Sequence, residues 1–134
     1  MRNDDLRPSV TGVAVVIIQE SNEFSDKDWN VYLLNKNDFA LNNILITSKG
    51  YGIINNESRK SSTIRQFIDN LDAKSYVKIE PIAEEVFGLS NEYWVSYYVE
   101  NVIYDKKFIF LPDSILEKNM TDIPLMKTKG VVIE

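Results

Sequence analysis

The chain has no cysteine and no histidine. Without cysteine no disulfide framework exists, and the redox compartment leaves no trace. Without either residue the usual zinc sites, Cys–His pairs and Ser–His–Asp triads cannot be assembled. What remains for catalysis is carboxylate, lysine, tyrosine or divalent-cation chemistry, and no motif for any of these stands out. The expectation is a protein that is not an enzyme and uses no metal or cofactor.

Positive charge is short as well: 15 Lys and Arg stand against 20 Asp and Glu, for a net charge of −5 and a pI near 4.8. Neutralising phosphates takes clustered Lys and Arg, so nucleic acid is not an expected partner. Long apolar runs are missing too. Val13 to Ile18 is too short to span a bilayer, and the polar start MRNDDLRPS lacks the apolar core of a signal peptide. A cytoplasmic protein without a membrane partner is the default expectation.

What is present suits one folded unit. The 134 residues are 44 % hydrophobic and 26 % charged, the balance of an ordinary globular domain. A chain of that size buries roughly two-thirds of its unfolded surface. Residues 1–9 read as a flexible arm, and 10–134 as a single β-sandwich domain ending in a hairpin extension over 113–134.

Along the chain, Val13 to Ile18 (VAVVII) reads as a strand covered on both faces. Trp29 to Leu34 alternates, with Trp29, Val31 and Leu33 on one side and Tyr32 and Leu34 on the other. Ile44 to Ser48 is a third strand. Lys49-Gly50-Tyr51-Gly52 then reads as a bend, and Asn55 to Ser62 as an exposed loop. Thr63 to Ala73 carries two patterns. Ile64, Phe67, Ile68 and Leu71 make a helical stripe, while Asn70 to Ala73 resembles a hairpin connection. Strand–turn–strand is the expectation. Ser75 to Ile82 alternates, with Tyr76, Lys78 and Glu80 on one side and Val77, Ile79 and Pro81 on the other. Ala83 to Phe87 makes a helical turn, and Ser114/Glu117 has capping-box spacing. A terminal hairpin turns at Lys127 to Gly130, with Gly130 supplying a positive φ.

Glu92 to Pro112 is the densest aromatic stretch, with six of the thirteen Tyr and Phe residues and one of two Trp. A two-residue turn at Glu100-Asn101 (a turn at Asn101-Val102, which changes every pairing, is the alternative) pairs Val99 with Val102, Tyr97 with Tyr104, Val95 with Lys106 and Tyr93 with Phe108 on a core face. It pairs Tyr98 with Ile103, Ser96 with Asp105 and Trp94 with Lys107 on the other. Short strands with a turn signal every 8–12 residues are the pattern of a mainly β, immunoglobulin-like antiparallel β-sandwich with one or two short helical turns.

The candidate binding residues are Trp94, Tyr98, Ile103 and Lys107, which mix large rings with charge as a recognition surface does. The competing reading covers Trp94 and Tyr98 with the C-terminal segment. Lys49, Gly50, Tyr51 and Gly52 form a second candidate, because paired glycines admit close approach of a ligand or serve a bulge. Asp26, Asp28 and Asn30 open like a calcium loop, but Val31 and Asn37 replace its Gly and Glu, so a solvated turn is the better reading. Ser58 to Thr63 lacks the glycine spacing of a phosphate loop. Glu80, Glu84 and Glu85 receive no acid–base role. A protein partner or self-association is the leading functional expectation, with carbohydrate or small-ligand binding on an aromatic face as the alternative.

The stretches WNVYLLN (29–35), TSKGYG (47–52), KIEPIAEEVFGLSNEYWVSYY (78–98) and YDKKFIFLP (104–112) resemble a family of small uncharacterised bacterial proteins. Some members carry the label phenylalanyl-tRNA synthetase alpha subunit. That label implies ATP-binding arginines and a basic tRNA surface. Here the arginines are Arg2, Arg7, Arg59 and Arg65, none in an obvious motif, and the chain is short and acidic. The resemblance therefore implies no catalytic residue.

Overall fold

The computed structural model describes residues 8–134. They form ten antiparallel strands: β1 (Val13–Ser21), β2 (Lys27–Asn35), β3 (Leu41–Ile54), β4 (Glu57–Lys60), β5 (Ile64–Leu71), β6 (Ser75–Ile82), β7 (Ser90–Val99), β8 (Val102–Phe110), β9 (Thr121–Ile123) and β10 (Thr128–Ile133). Two single 3-10 turns, Glu84–Val86 and Glu117–Asn119, are the only helical pieces among the described residues. No helix among them is long and apolar enough to cross a membrane.

The first sheet has the order β6-β2-β1-β10-β9, and the second β4-β3-β7-β8 with β5 also pairing β3. Alternation along each strand decides what lies between them. Val13, Val15 and Ile17 of β1 and Trp29, Val31 and Leu33 of β2 meet Leu41, Ile44, Ile46, Tyr93, Val95, Tyr97 and Phe108 from the opposite sheet in one buried cluster. Ala14, Val16 and Ile18 point the other way, into a smaller cluster with Leu34 and Ile123. The run VAVVII is thus buried on both faces, as its unbroken apolar character requires.

Thr63 to Ala73 resolves as strand and turn: β5 lies along β3, pairing Leu41 with Leu71 and Ser48 with Ile64. The helical stripe loses because β5 bonds one edge along β3 and sets Ile68 and Leu71 against the buried cluster. Three turns settle on left-handed residues in place of glycine. Asn55 and Asn56 (φ 54° and 64°) and Glu100 and Asn101 (φ 49° and 67°) close two-residue hairpins. In the terminal hairpin Leu125 and Lys127 hold the positive φ (71° and 53°).

Several local expectations are corrected. The chain does not bend at Lys49–Gly52, because β3 runs unbroken for 14 residues. Its glycines serve packing: a Cβ at Gly50 would lie 3.2 Å from Asn91 Oδ1, and one at Gly52 3.3 Å from a Leu89 methyl. Asn55 to Ser62 is not a loop throughout, since Ser58 to Lys60 lie in exposed β4 paired to the end of β3. Gly130 makes close contact rather than a turn: a Cβ there would meet Ile18 Cγ2 at 2.6 Å and the Ile17 carbonyl oxygen at 2.8 Å. Ser114 does not cap the second 3-10 turn; its hydroxyl donates to the Leu111 carbonyl at 2.7 Å. The C-terminal hairpin is integrated, since β10 pairs β1. Most of the expected N-terminal arm lies outside the described residues; Pro8 and Ser9 are exposed.

Candidate functional site

The β7–β8 hairpin separates two faces in the register its turn sets. Val99 pairs Val102, Tyr97 pairs Tyr104, Tyr93 pairs Phe108 and Trp94 pairs Lys107. Inward, Tyr97 and Tyr104 stack with centroids 5.2 Å apart and planes 5° from parallel. Burial pushes the Tyr97 phenol up to about 12, with Tyr104 adding to the effect. Tyr93 is buried edge-on to Phe110, 6.1 Å between centroids, and its phenol is raised still further by burial and then by Glu80. These rings are core.

The outward side chains line up across four strands. Phe67 of β5 pairs Leu45 of β3, Leu45 pairs Ser96 of β7, and Ser96 pairs Asp105 of β8. The next row runs Arg65, Thr47, Trp94, Lys107. A bulge in β3 between Asn42 and Leu45, with Asn43 at φ 48°, brings Asn42 opposite Tyr98. Five large apolar side chains stay open on this face: Phe67 (54 % exposed), Trp94 (44 %), Leu45 (43 %), Tyr98 (39 %) and Ile103 (39 %). Lys107 holds its Nζ over the Trp94 ring, 4.7 Å from the centroid. Between these groups lies a shallow dish of about 270 Å³ lined by Leu45, Thr47, Trp94, Ser96, Ile103 and Asp105.

The four hairpin candidates, Trp94, Tyr98, Ile103 and Lys107, therefore share one open face. The C-terminal segment does not cover Trp94 and Tyr98, because β9 and β10 join the opposite sheet. Leu45, Thr47 and Phe67 belong to the same face and were not found from sequence. Their only signal is the odd-numbered alternation of β3 and β5, which becomes visible once those strands are paired.

Lys49, Gly50, Tyr51 and Gly52 lie within β3 rather than in a loop, and Lys49 and Gly50 line a cleft between the sheets. Lys49 lies 3.8 Å from Glu92, and the Tyr51 hydroxyl donates to Glu92 Oε1 at 3.3 Å. Gly50 donates its N–H to Ser61 Oγ at 2.6 Å, and its carbonyl accepts the Ser61 N–H at 2.9 Å. Burial, then the Glu92 charge, raises the Tyr51 phenol.

Glu80 is the residue that strand alternation misplaces. The β2–β6 ladder shifts register at Val31/Tyr32, so Glu80 pairs with inward-facing Val31 while Lys78 pairs with Tyr32. The bulge turns the Glu80 carboxylate into a cleft of about 240 Å³ between the sheets, shared with Ser48, Ser61, Asn91 and Tyr93. Its Oε1 is buried without a hydrogen-bond partner. Desolvation raises the carboxyl above its usual range, against a Ser48 hydrogen bond that lowers it. Glu84 instead accepts the Trp29 Nε1–H at 3.1 Å. No group of three or more His, Cys, Asp or Glu side chains among the described residues is placed to hold a metal. Comparison of the chain with protein-family models, curated proteins and solved structures finds no match.

Proposed function

We propose that the chain is a non-catalytic interaction module whose contact surface is the outward face of the second sheet, with a protein as its partner. The observation that carries this is the contiguous set Leu45, Phe67, Trp94, Tyr98 and Ile103, open to solvent in adjacent ladder positions. Aromatic and apolar groups fringed by Arg65, Asp105 and Lys107 have the make-up of an interface with an apolar centre and a charged rim.

An immunoglobulin-like sandwich is the architecture this reading adopts. It is supported by the pairing of β2 with β6, of β3 with β7 and of β7 with β8. Those pairings match strands B with E, C with F and F with G of such domains. The chain departs from the antibody pattern in lacking the inter-sheet cysteines.

The test is affinity capture from native extract with wild type and with Trp94→Ala/Tyr98→Ala, each first checked for folding. A stoichiometric partner recovered by wild type and lost from the folded variant supports the reading. Equal recovery by both overturns the surface assignment.

A second reading, binding of a carbohydrate or small ligand, draws on the dish itself. It offers an indole beside the hydroxyls of Thr47 and Ser96 and the carboxylate of Asp105, the combination of stacking platform and polar groups that orients sugars. Saturable quenching of Trp94 fluorescence by a soluble glycan, abolished by Thr47→Ala, would favour it over the protein partner. A synthetase-related role, the third reading, requires phenylalanine or ATP to give heat in titration calorimetry.

A further inference from the structure

We infer that β8 is a dimerisation strand, pairing antiparallel with β8 of a second copy about a two-fold axis at Lys106. The inference goes beyond the reading above: it adds a self-association site on a strand edge and leaves the sheet face to its own partner.

The argument begins with which edges are open. β6 carries Pro81 and a register shift, β4 has four residues, and β9 has three and runs into Pro124. Prolines, irregularities and shortness are the devices that keep sheet edges from pairing. β8 has none of them. It is nine residues long, pairs β7 in unbroken register, and among the described residues pairs no other strand.

The hydrogen-bond phase of β8 follows from its turn. A two-residue turn makes Val99 and Val102 a hydrogen-bonded pair, and the alternation of antiparallel ladders then points the N–H and C=O of Ile103, Asp105, Lys107 and Ile109 away from β7. Those four residues also carry the outward side chains of the strand. Their pattern, Ile-x-Asp-x-Lys-x-Ile, is self-complementary when reversed. With the axis at Lys106, Ile103 faces Ile109 of the second copy and Asp105 faces its Lys107, each pair occurring twice. All four are hydrogen-bonding positions, giving roughly eight ladder bonds. Shifting the axis by one residue sets Asp105 against Asp105 or Lys107 against Lys107, which opposed like charges disfavour. At the axis itself the two Lys106 side chains oppose each other on the other face, a like-charge cost set against two Asp105–Lys107 pairs, and each Nζ lies over its own Phe108 ring at 5.2 Å.

β5 is the other long edge, at eight residues. Reversed about Phe67 it sets Arg65 against Asp69, but it offers one apolar contact and fewer ladder pairs. Each cross-strand pair adds to the match, so the longer β8 pairing prevails. Joining two copies at β8 fuses both second sheets into one and brings their Trp94 faces onto a single continuous surface.

The chain's lack of cysteine gives a register-specific test. Lys106→Cys is expected to form a disulfide-linked dimer under mild oxidation, because the axis places residue 106 opposite itself at the short spacing of a non-hydrogen-bonded pair. Phe67→Cys is expected to stay monomeric on non-reducing gels. In sedimentation equilibrium, Asp105→Lys and Lys107→Asp should each raise the dimer dissociation constant roughly tenfold, and the double exchange should restore it. A wild-type monomer at all concentrations overturns the inference while leaving the face free for a different partner. A dimer that cross-links at 67 and not at 106, or that the double exchange fails to restore, overturns it as well. Loss of a captured heterologous partner in Trp94→Ala/Tyr98→Ala with cross-linking at 106 intact separates the face from the edge.

Discussion

Lys107 and Trp94 are cross-strand partners as well as ring and cation, with Nζ 4.7 Å from the indole centroid. The contact fixes the orientation of the indole on the open face. Lys107→Ala is expected to cost about 0.5–1 kcal/mol, the range of an exposed cation–π contact. In a Trp29→Phe background it should also shift the emission of the remaining tryptophan. Urea unfolding and a double-mutant cycle with Trp94→Leu check both, and a coupling energy of zero would contradict the contact.

The stability of the fold should fall as the Glu80 carboxyl ionises. Burial raises its folded-state value above the ordinary 4.5. Below the ordinary value both states are protonated and the group contributes nothing. As pH rises, the unfolded chain releases its proton first, so stability declines through the window up to the raised value and then levels off. Glu80→Gln is expected to stabilise the protein at neutral pH and to be indistinguishable from wild type below pH 4.5. Unfolding curves across that range decide it, and a benefit that persists undiminished in acid would contradict the buried-charge account.

Asn35 ties two connections together. Its Nδ2 donates to the carbonyls of Phe39 (2.8 Å), Asp72 (3.0 Å) and Leu71 (3.3 Å), and its Oδ1 accepts the Asn37 N–H at 3.1 Å. The Asp72 carbonyl keeps the Ser75 hydroxyl as a donor at 2.6 Å. Removing the fully buried hub still takes the side-chain partner from the Phe39 carbonyl and the Asn37 N–H, and an unsatisfied buried group costs roughly 1–3 kcal/mol. Asn35→Ala is therefore expected to cost about 2–4 kcal/mol in chemical denaturation. A loss below about 0.5 kcal/mol, the size of an ordinary surface change, would show that the network contributes little.

The Glu100-Asn101 turn holds a non-glycine pair in left-handed geometry. Replacing it by Asn-Gly keeps the geometry and removes the Cβ strain at the second position, so Glu100→Asn/Asn101→Gly should stabilise the hairpin by about 1 kcal/mol. Thermal melts check the gain, and a destabilised variant would contradict the assigned turn.

Much of this arrangement can be read from sequence, and the reason is local. Glu100-Asn101 sits between two alternating runs and so offers a hairpin register, while a turn at Asn101-Val102 would re-pair every residue; the left-handed Glu100 and Asn101 decide between them. VAVVII declares a strand buried on both sides. The missed features depend on non-local geometry. Gly50 and Gly52 look like a bend in one dimension, yet they are there for the approach of Asn91 and Leu89 from β7 and the segment before it. Simple alternation puts Glu80 on the same side as Lys78. One extra residue in the β2–β6 ladder reverses that, and nothing in SYVKIEPI marks its position. Leu45 and Phe67 belong to the open face only through the pairing of β3 with β5.

The central claim is that neighbouring rings on β7 have different jobs: Tyr97 in the core, at 2 % exposure, and Tyr98 at the contact surface. Oxidative footprinting of the free protein and of the same protein in its native assembly reads both rings, and Trp94, in one measurement. The account predicts that Trp94 and Tyr98 react when free and are protected in the assembly, while Tyr93 and Tyr97 are unreactive in both. Equal labelling of Trp94 and Tyr98 in the two states would contradict it.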